Sequence, residues 1–503
     1  QRQRSSRDFT FTSLRHVLRD IIACFPVYRS YITGDDIHDA DRKYVQTAGA
    51  RARGRNPALN KALFDFVGDM VLLKYPETAT PEDRAEQRRF AGKFQQVTSP
   101  VMAKGLEDTA FYVYNRLLAL NEVGGTPERF GRSPASVHRY FQERQAHWPL
   151  AMSASSTHDS KRSEDVRARL NVLSELPDQW HERLLRWSEL NRPERSEIDE
   201  LTVPGPNEEY FLYQTLLGAW PLEPYAAEQY AAFVERIRAY MRKAIHEAKM
   251  HTSWINPNAA YDEAVDRFVA SVLDPGKSSL FIDDLRAFAK YVSHCGLFNA
   301  LAQTLLKIAA PGVPDTYQGT EIWDFSLVDP DNRRPVDYEQ RRGLLQALQA
   351  EARAAGPNLG KLAEELMRAK EDGRIKLYVT YRALHCSREH PGLFTSGEFT
   401  PLESGGARQE HVFGFIRRAG NKTALAVVPR LFTKLVPSVN HLPCGRDLWQ
   451  DTVLQLPDAD AKARWRNIFT GEVVAASSQP GRIVMAAADL FAHFPVALVM
   501  AEE

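Results

Sequence analysis

Apolar residues recur along this chain at two different spacings, and the switch between them marks its organisation. Through residues 8–90 the spacing is helical. Thr12 to Cys24 carries Leu14, Val17, Leu18, Ile21 and Ile22 on one face, the i, i+3, i+4, i+7 pattern of an amphipathic helix. Asn56-Pro57 reads as a cap followed by proline at the first helical position, ahead of Leu59, Leu63, Phe66, Val67 and Met70; Thr80-Pro81 repeats the device. After residue 163 the helical spacing returns over 178–190, 206–220, 225–249, 256–273 and 280–309. Stripes such as Phe211, Tyr213, Leu216 and Leu217 mean core more often than a cofactor box, so this region reads as a helical insertion.

Three stretches interrupt that rhythm. Phe94 to Gly105 reads as a short strand ending in Lys104-Gly105, and a helix then carries Phe111, Tyr114, Leu117 and Leu118 as far as Gly124-Gly125. From Pro149 a short apolar run leads into a small polar turn holding His158-Asp159, and a charged amphipathic helix follows. After Ala309 the chain turns at Pro311-Gly312, makes a short strand, and enters a polar loop from Gln318-Gly319 to Tyr338. Past residue 354, a helix at 359–370 and an apolar segment at 375–384 give way to alternating runs. These cover 411–416, 423–428, 463–469, 482–485 and 494–500, with Gly, Asn and Pro between them, as in an antiparallel β domain.

Three strand-to-loop junctions separated by helical material are what successive βα units of a barrel would give. In α/β barrels the chemistry sits where strands end. Each junction also has a plainer reading. Asp159 or Ser163 suits the N-cap of the following helix, and Lys104 beside Glu107 and Asp108 suits a surface ion pair worth under ~1 kcal/mol. Three junctions in series favour a site.

Composition narrows the class. The 503 residues include 64 Lys+Arg and 64 Asp+Glu, a formal net charge of zero, which argues against a protein built to grip nucleic acid. Aromatics make up 10%, with 18 Tyr and 8 Trp; such rings suit sugars, although they are core residues first. Cys24, Cys295, Cys386 and Cys444 are scattered without metal spacing and read as reduced thiols of a cytoplasmic protein. No metal or cofactor site is evident, and no apolar run approaches the ~18 residues of a membrane span. The first residue is Gln rather than Met, with no signal-like apolar core behind it.

Two motifs carry a resemblance. Lys104-Gly-Leu-Glu-Asp-Thr-Ala-Phe-Tyr-Val-Tyr-Asn115 resembles the KGxEDTAFYxYN segment of maltooligosyl trehalose synthases, and Ser156-Thr-His-Asp-Ser-Lys-Arg-Ser-Glu-Asp-Val-Arg-Ala-Arg169 resembles their STHD(T/S)KRSEDVRAR segment. Pro311 to Glu321 resembles the eighth-strand motif of the same family, and Leu327-Val-Asp-Pro-Asp-Asn-Arg-Arg-Pro-Val-Asp-Tyr338 follows it. The chain departs from the pattern at Ser99, Val113 and Thr316, where Gly, Arg and an aromatic or aliphatic residue are expected.

The resemblance implies an α/β fold of the α-amylase clan. It is a partial (β/α)8 barrel with large helical insertions and a C-terminal antiparallel β domain. Its expected divisions are a helical segment at 1–93, strands six and seven at 94–162, a helical insertion at 163–300, the last strand and helix at 301–353, and the C-terminal domain at 354–503. It implies an isomerase that turns the reducing-end α-1,4 bond of a maltooligosaccharide into an α,α-1,1 bond, without a cofactor. A maltooligosyl trehalose trehalohydrolase would follow it in a trehalose pathway.

Asp159 matches the clan's third carboxylate, which stabilises the distorted sugar, and His158 matches its hydroxyl-binding neighbour. Lys161, Lys104, Arg162, Glu107 and Gln318 are the further substrate-binding candidates. The clan's strand-four nucleophile lies in an Arg-x-Asp-His-like context that this sequence lacks, and no strand-five acid/base Glu is found. The expectation is a C-terminal portion of a longer synthase, inactive alone. A clan hydrolase and a non-catalytic glucan-binding protein are the alternatives.

Overall fold

The computed structural model describes residues 8–34, 36–457, 464–479 and 481–502. Residues 1–7 of the expected helical segment, and Ala463 at the head of one alternating run, lie outside them. The chain divides into two compact units, one of residues 1–114 and 246–254, the other of residues 115–245 and 255–503.

In the first unit, helices α1 (Phe11–Ala23), α2 (Asp39–Arg55), α3 (Lys61–Val71) and α4 (Pro81–Leu106) enclose a core that includes Val17, Ile21, Val45, Phe64, Val67 and Phe94. Thr80 caps α4 reciprocally with Asp83, and Pro81 opens the helix. Asn56 does not start a helix. It closes α2 by donating its N–H to the Ala52 carbonyl at 3.1 Å, and Asn60 caps α3 instead.

The stretch expected as a strand from Phe94 is the second half of α4. Its buried residues Ala91, Phe94, Gln95 and Thr98 fall at helical spacing, and that periodicity overrides the β-forming Val-Thr pair and Pro100. Gln95 exchanges hydrogen bonds with the backbone of Ile32, accepting at 2.6 Å and donating at 3.0 Å. The helix expected after Glu107 is also absent. Two single 3-10 turns, Ala110–Tyr112 and Leu118–Leu120, stand there. Adjacent residues are buried in pairs there, Phe111 with Tyr112 and Leu117 with Leu118.

In the second unit, α5 (Pro134–His147) precedes β1 (Met152–Ala154), which pairs in parallel with β4 (Val313–Asp315); Met152 faces Val313 and Ala154 faces Asp315. The crossover between them carries α6 (Glu164–Asn171), α7 (Pro177–Asn191), a hairpin of β2 (Ser196–Ile198) and β3 (Leu201–Val203), and α8 (Pro206–Ala219). Next come α9 (Ala227–Ala248, which ends in residues of the first unit), α10 (Ala259–Val272) and α11 (Ser279–Ala309). With 31 residues, α11 is roughly 46 Å long and packs on α6. A Cβ at Gly296 would come within 2.7 Å of Arg169 Cγ and 2.8 Å of its Cα, so this approach needs glycine.

Helices α12 (Tyr338–Ala355), α13 (Gly360–Arg368) and α14 (Arg374–Glu389) follow β4. The segment at 375–384, read only as apolar, is therefore helical. Two sheets then form, antiparallel at every pairing. The larger has the order β11-β10-β14-β8-β7-β5 and the smaller β12-β13-β9-β6. Their strands are β5 (Glu398–Pro401), β6 (Ser404–Gly405), β7 (Val412–Ala419), β8 (Lys422–Pro429), β9 (Val453–Leu456), β10 (Arg464–Asn467), β11 (Val473–Ala475), β12 (Ser477–Gln479), β13 (Arg482–Ala486) and β14 (Ala497–Glu502).

Candidate functional site

The turn after β1 is set by its small polar residues. Ser160 Oγ accepts from the Thr157 N–H at 2.8 Å, Thr157 Oγ1 from the Asp159 N–H at 3.2 Å, and Ser156 Oγ from the Glu164 N–H at 2.8 Å. Ser163, not Asp159, caps α6. These bonds satisfy the backbone locally, and they leave the side chains of His158 and Asp159 exposed.

The turn after β4 is built differently. Gly319 has a φ of 95°, a value that favours glycine. Its N–H donates to Glu321 at 3.0 Å, and Arg341 donates to its carbonyl at 2.8 Å while pairing with Glu321 at 3.0 Å. Gln318 is exposed and accepts from the Tyr338 hydroxyl at 3.4 Å.

The two turns are tied together. Asn332 donates its amide to the carbonyls of Thr157 at 3.3 Å and His158 at 3.1 Å, and its own carbonyl accepts from Tyr317 at 3.1 Å. The Asp324 N–H donates to Asp165 at 2.8 Å, and the Ser163 N–H donates to the Ser326 carbonyl at 2.9 Å.

Beneath this tie lies a buried charge cluster. Lys376 of α14 reaches Asp165 at 2.8 Å and Glu164 at 2.7 Å, and Lys307 of α11 reaches Glu164 at 3.5 Å. Burial favours protonating Glu164, but Lys376 and Lys307 outweigh it and hold the carboxyl down at about 2. Burial dominates at Asp165, which is raised to about 6 despite Lys376. Burial also works against the charge on Lys376, yet its two carboxylates raise it above the ordinary lysine range.

The other candidates are distributed unevenly. Lys161 and Arg162 are 3% and 2% exposed. The Lys161 N–H donates to Glu122 at 2.8 Å, while the Arg162 guanidinium donates to the Leu118 carbonyl at 3.3 Å and the Tyr240 hydroxyl at 3.1 Å. Arg162, expected to bind substrate, is thus engaged by protein groups, because its guanidinium is the donor that satisfies this buried wall. Lys104 and Glu107 belong to the first unit. Lys104 stands on the last turn of α4 rather than at a strand end, exposed and paired with Asp108. Glu107 is buried and accepts from the Tyr28 hydroxyl.

No family model matches the chain. A putative maltooligosyl trehalose synthase of Mycobacterium tuberculosis (strain ATCC 25618 / H37Rv) is 37% identical over 410 residues, covering 82% of this chain and 45% of that protein. The maltooligosyltrehalose synthase of Arthrobacter ramosus superposes with a TM-score of 0.74 at 33% identity, over 97% of this chain and 54% of that one. A hypothetical maltooligosyl trehalose synthase of Sulfolobus tokodaii does so with a TM-score of 0.67 at 26% identity, over 99% and 55%. Over most of its length the chain is similar to maltooligosyl trehalose synthases. It spans about half the length of the relatives it matches.

Sequence reasoning named the exposed pair and missed what holds it. Asn332 sat unremarked in a polar loop. Lys376 sat within Ile375-Lys-Leu-Tyr-Val379, and a lone lysine inside an apolar run is the signal that could have revealed a buried ion pair. Among the described residues no helix is long and apolar enough to cross a membrane.

Proposed function

We propose that this chain serves the intramolecular transglucosylation that converts the reducing-end α-1,4 bond of a maltooligosaccharide into an α,α-1,1 bond. The observation that carries the reading is the exposed His158-Asp159 pair at the end of β1, beside the parallel strand β4, in a chain similar to these synthases. We read β1 and β4 as strands seven and eight of an α-amylase-clan barrel.

The reaction retains configuration at the transferred sugar. It needs a nucleophilic carboxylate and an acid/base carboxylic acid about 5–5.5 Å apart, and the freed glucose must turn and attack before water does. On this reading Asp159 is the third carboxylate, opposing the positive charge that develops on the distorted ring, and His158 hydrogen-bonds that ring's hydroxyls. Gln318 and Lys104 are exposed groups suited to sugar hydroxyls. Lys161 and Arg162, both buried, support the site from behind, and Glu107 is a buried candidate of the first unit. The chain has no Arg-x-Asp-His sequence, and we infer that these 503 residues do not supply the nucleophile and acid. A trehalohydrolase acting on the product is the next step this reading implies.

The test is to incubate the chain with maltopentaose and follow reducing ends. No change in a folded sample is expected. A loss of reducing ends without chain shortening would place the whole chemistry within these residues and overturn the inference of inactivity. A rise would make the protein a hydrolase. With nucleophile and acid in place, Asp159→Asn should cut turnover by about 10²-fold or more, and near-normal turnover would remove Asp159 from the mechanism.

A further inference from the structure

A cleft of about 1120 Å³ opens in the second unit between the segment after α8, the middle of α11, the residues after α13 and the loop at 439–440. None of its lining residues belongs to β1, β4 or the turns that follow them. It exceeds the roughly 300–1,000 Å³ of ordinary small-molecule pockets, so it suits an oligomer better than a single ring.

Its walls are held in place. Trp220 is buried, and its carbonyl accepts from Arg169 at 2.6 Å. The Tyr230 hydroxyl donates to the Leu273 carbonyl at 2.9 Å. On the opposite side His294 Nε2 lies 2.8 Å from the His441 carbonyl and so fixes the loop that carries Asn440. Tyr225 is 40% exposed, yet its ring is braced by buried Phe233 with centroids 6.1 Å apart. A supported but uncovered aromatic face flanked by fixed polar groups is a platform for a partly apolar ring.

Charge selects among ligands. Three of the four lining cations are already paired: Arg286 with Asp283 at 2.9 Å, Arg368 with Glu364 at 3.4 Å and Lys370 with Glu371 at 2.8 Å. Among the described residues Lys290 makes no ion pair, and the carboxylate of Glu223 lines the same cleft. The site is therefore rich in donors and acceptors but close to charge balance. It matches a neutral polyhydroxylated chain better than a phosphate.

We propose that this cleft is a second oligosaccharide site, one that takes an α-1,4-glucan with a sugar face on Tyr225 and hydroxyls on Lys290, Glu223 and Asn440. The choice of glucan rests on the functional reading above.

The test titrates the chain calorimetrically with maltoheptaose in a His158→Ala/Asp159→Asn background, which removes the exposed pair and isolates the cleft. Binding is expected to persist there, to weaken about tenfold on adding Tyr225→Ala, to weaken also with Asn440→Ala, and to survive Tyr225→Phe. Binding unmoved by Tyr225→Ala and Asn440→Ala would overturn the proposal, as would displacement of maltoheptaose by inorganic phosphate. Loss of all binding in the background, with binding by the unmodified chain, would overturn the cleft and leave the glucan reading standing. Absence of any maltoheptaose binding would also overturn the cleft, whereas the functional reading is decided separately by the reducing-end assay.

Discussion

Asn332 is one amide holding two backbone carbonyls of the turn that bears His158 and Asp159. Asn332→Ala should cost about 1 kcal/mol of stability, read by urea unfolding, and a change near zero would show that the turn holds its own shape. Lys376 carries more. It is 1% exposed between two carboxylates, and removing one partner of a buried pair leaves uncompensated charge. Lys376→Met is expected to destabilise by about 3 kcal/mol or more; a loss under about 1 kcal/mol would mean that water or relaxation screens the cluster. The same cluster sets a pH dependence of opposite signs. Glu164 is depressed to about 2, so its contribution is full above its ordinary pKa of 4.5 and is lost as pH falls through 2. Asp165 is raised to about 6 from 3.8, so its contribution is full below 3.8 and is lost as pH rises through 6. The destabilisation by Glu164→Gln should shrink as pH drops from 5 toward 2, and that by Asp165→Asn should shrink from pH 4 to 7. A pH-independent difference for both variants would refute the assignment.

At the scale of elements, α4 and the α6–α11 contact each turn on one residue. Pro100 sits inside α4, where it removes a helical donor and crowds the preceding turn. Pro100→Ala should therefore stabilise the first unit, by up to about 3 kcal/mol, and a lower melting temperature would show that the proline is needed for a bend. Gly296→Ala should instead cost about 1–3 kcal/mol, because its new methyl meets the backbone of α6 as well as a side chain. That residues 94–105 are helical rather than the expected strand has a definite physical source. Local β propensity favoured a strand, but the buried positions Ala91, Phe94, Gln95 and Thr98 follow the helical period, and propensity is a weak prior beside packing.

For the whole molecule, two compact units predict that unfolding will not be a single two-state event. Scanning calorimetry should resolve two transitions, with Pro100→Ala moving one and Gly296→Ala the other. One transition shifted by both variants would show that the units unfold as one.

Much of this protein was legible before any coordinates. Helices α1, α7, α8, α10 and α11 announce themselves by apolar periodicity, as do the alternating runs of β7, β8 and β14, because the period of burial is a local property of the chain. The resemblance around His158 and Asp159 was likewise readable, since that motif is a run of adjacent residues. Two features were decided only by the tertiary structure: the Asn332 tie between the turns after β1 and β4, and the Lys376 cluster beneath them. Each joins residues far apart along the chain. Pairings of that kind leave no periodic trace, because they are chosen by what the packed core brings within hydrogen-bonding distance and by the cost of leaving a buried charge alone.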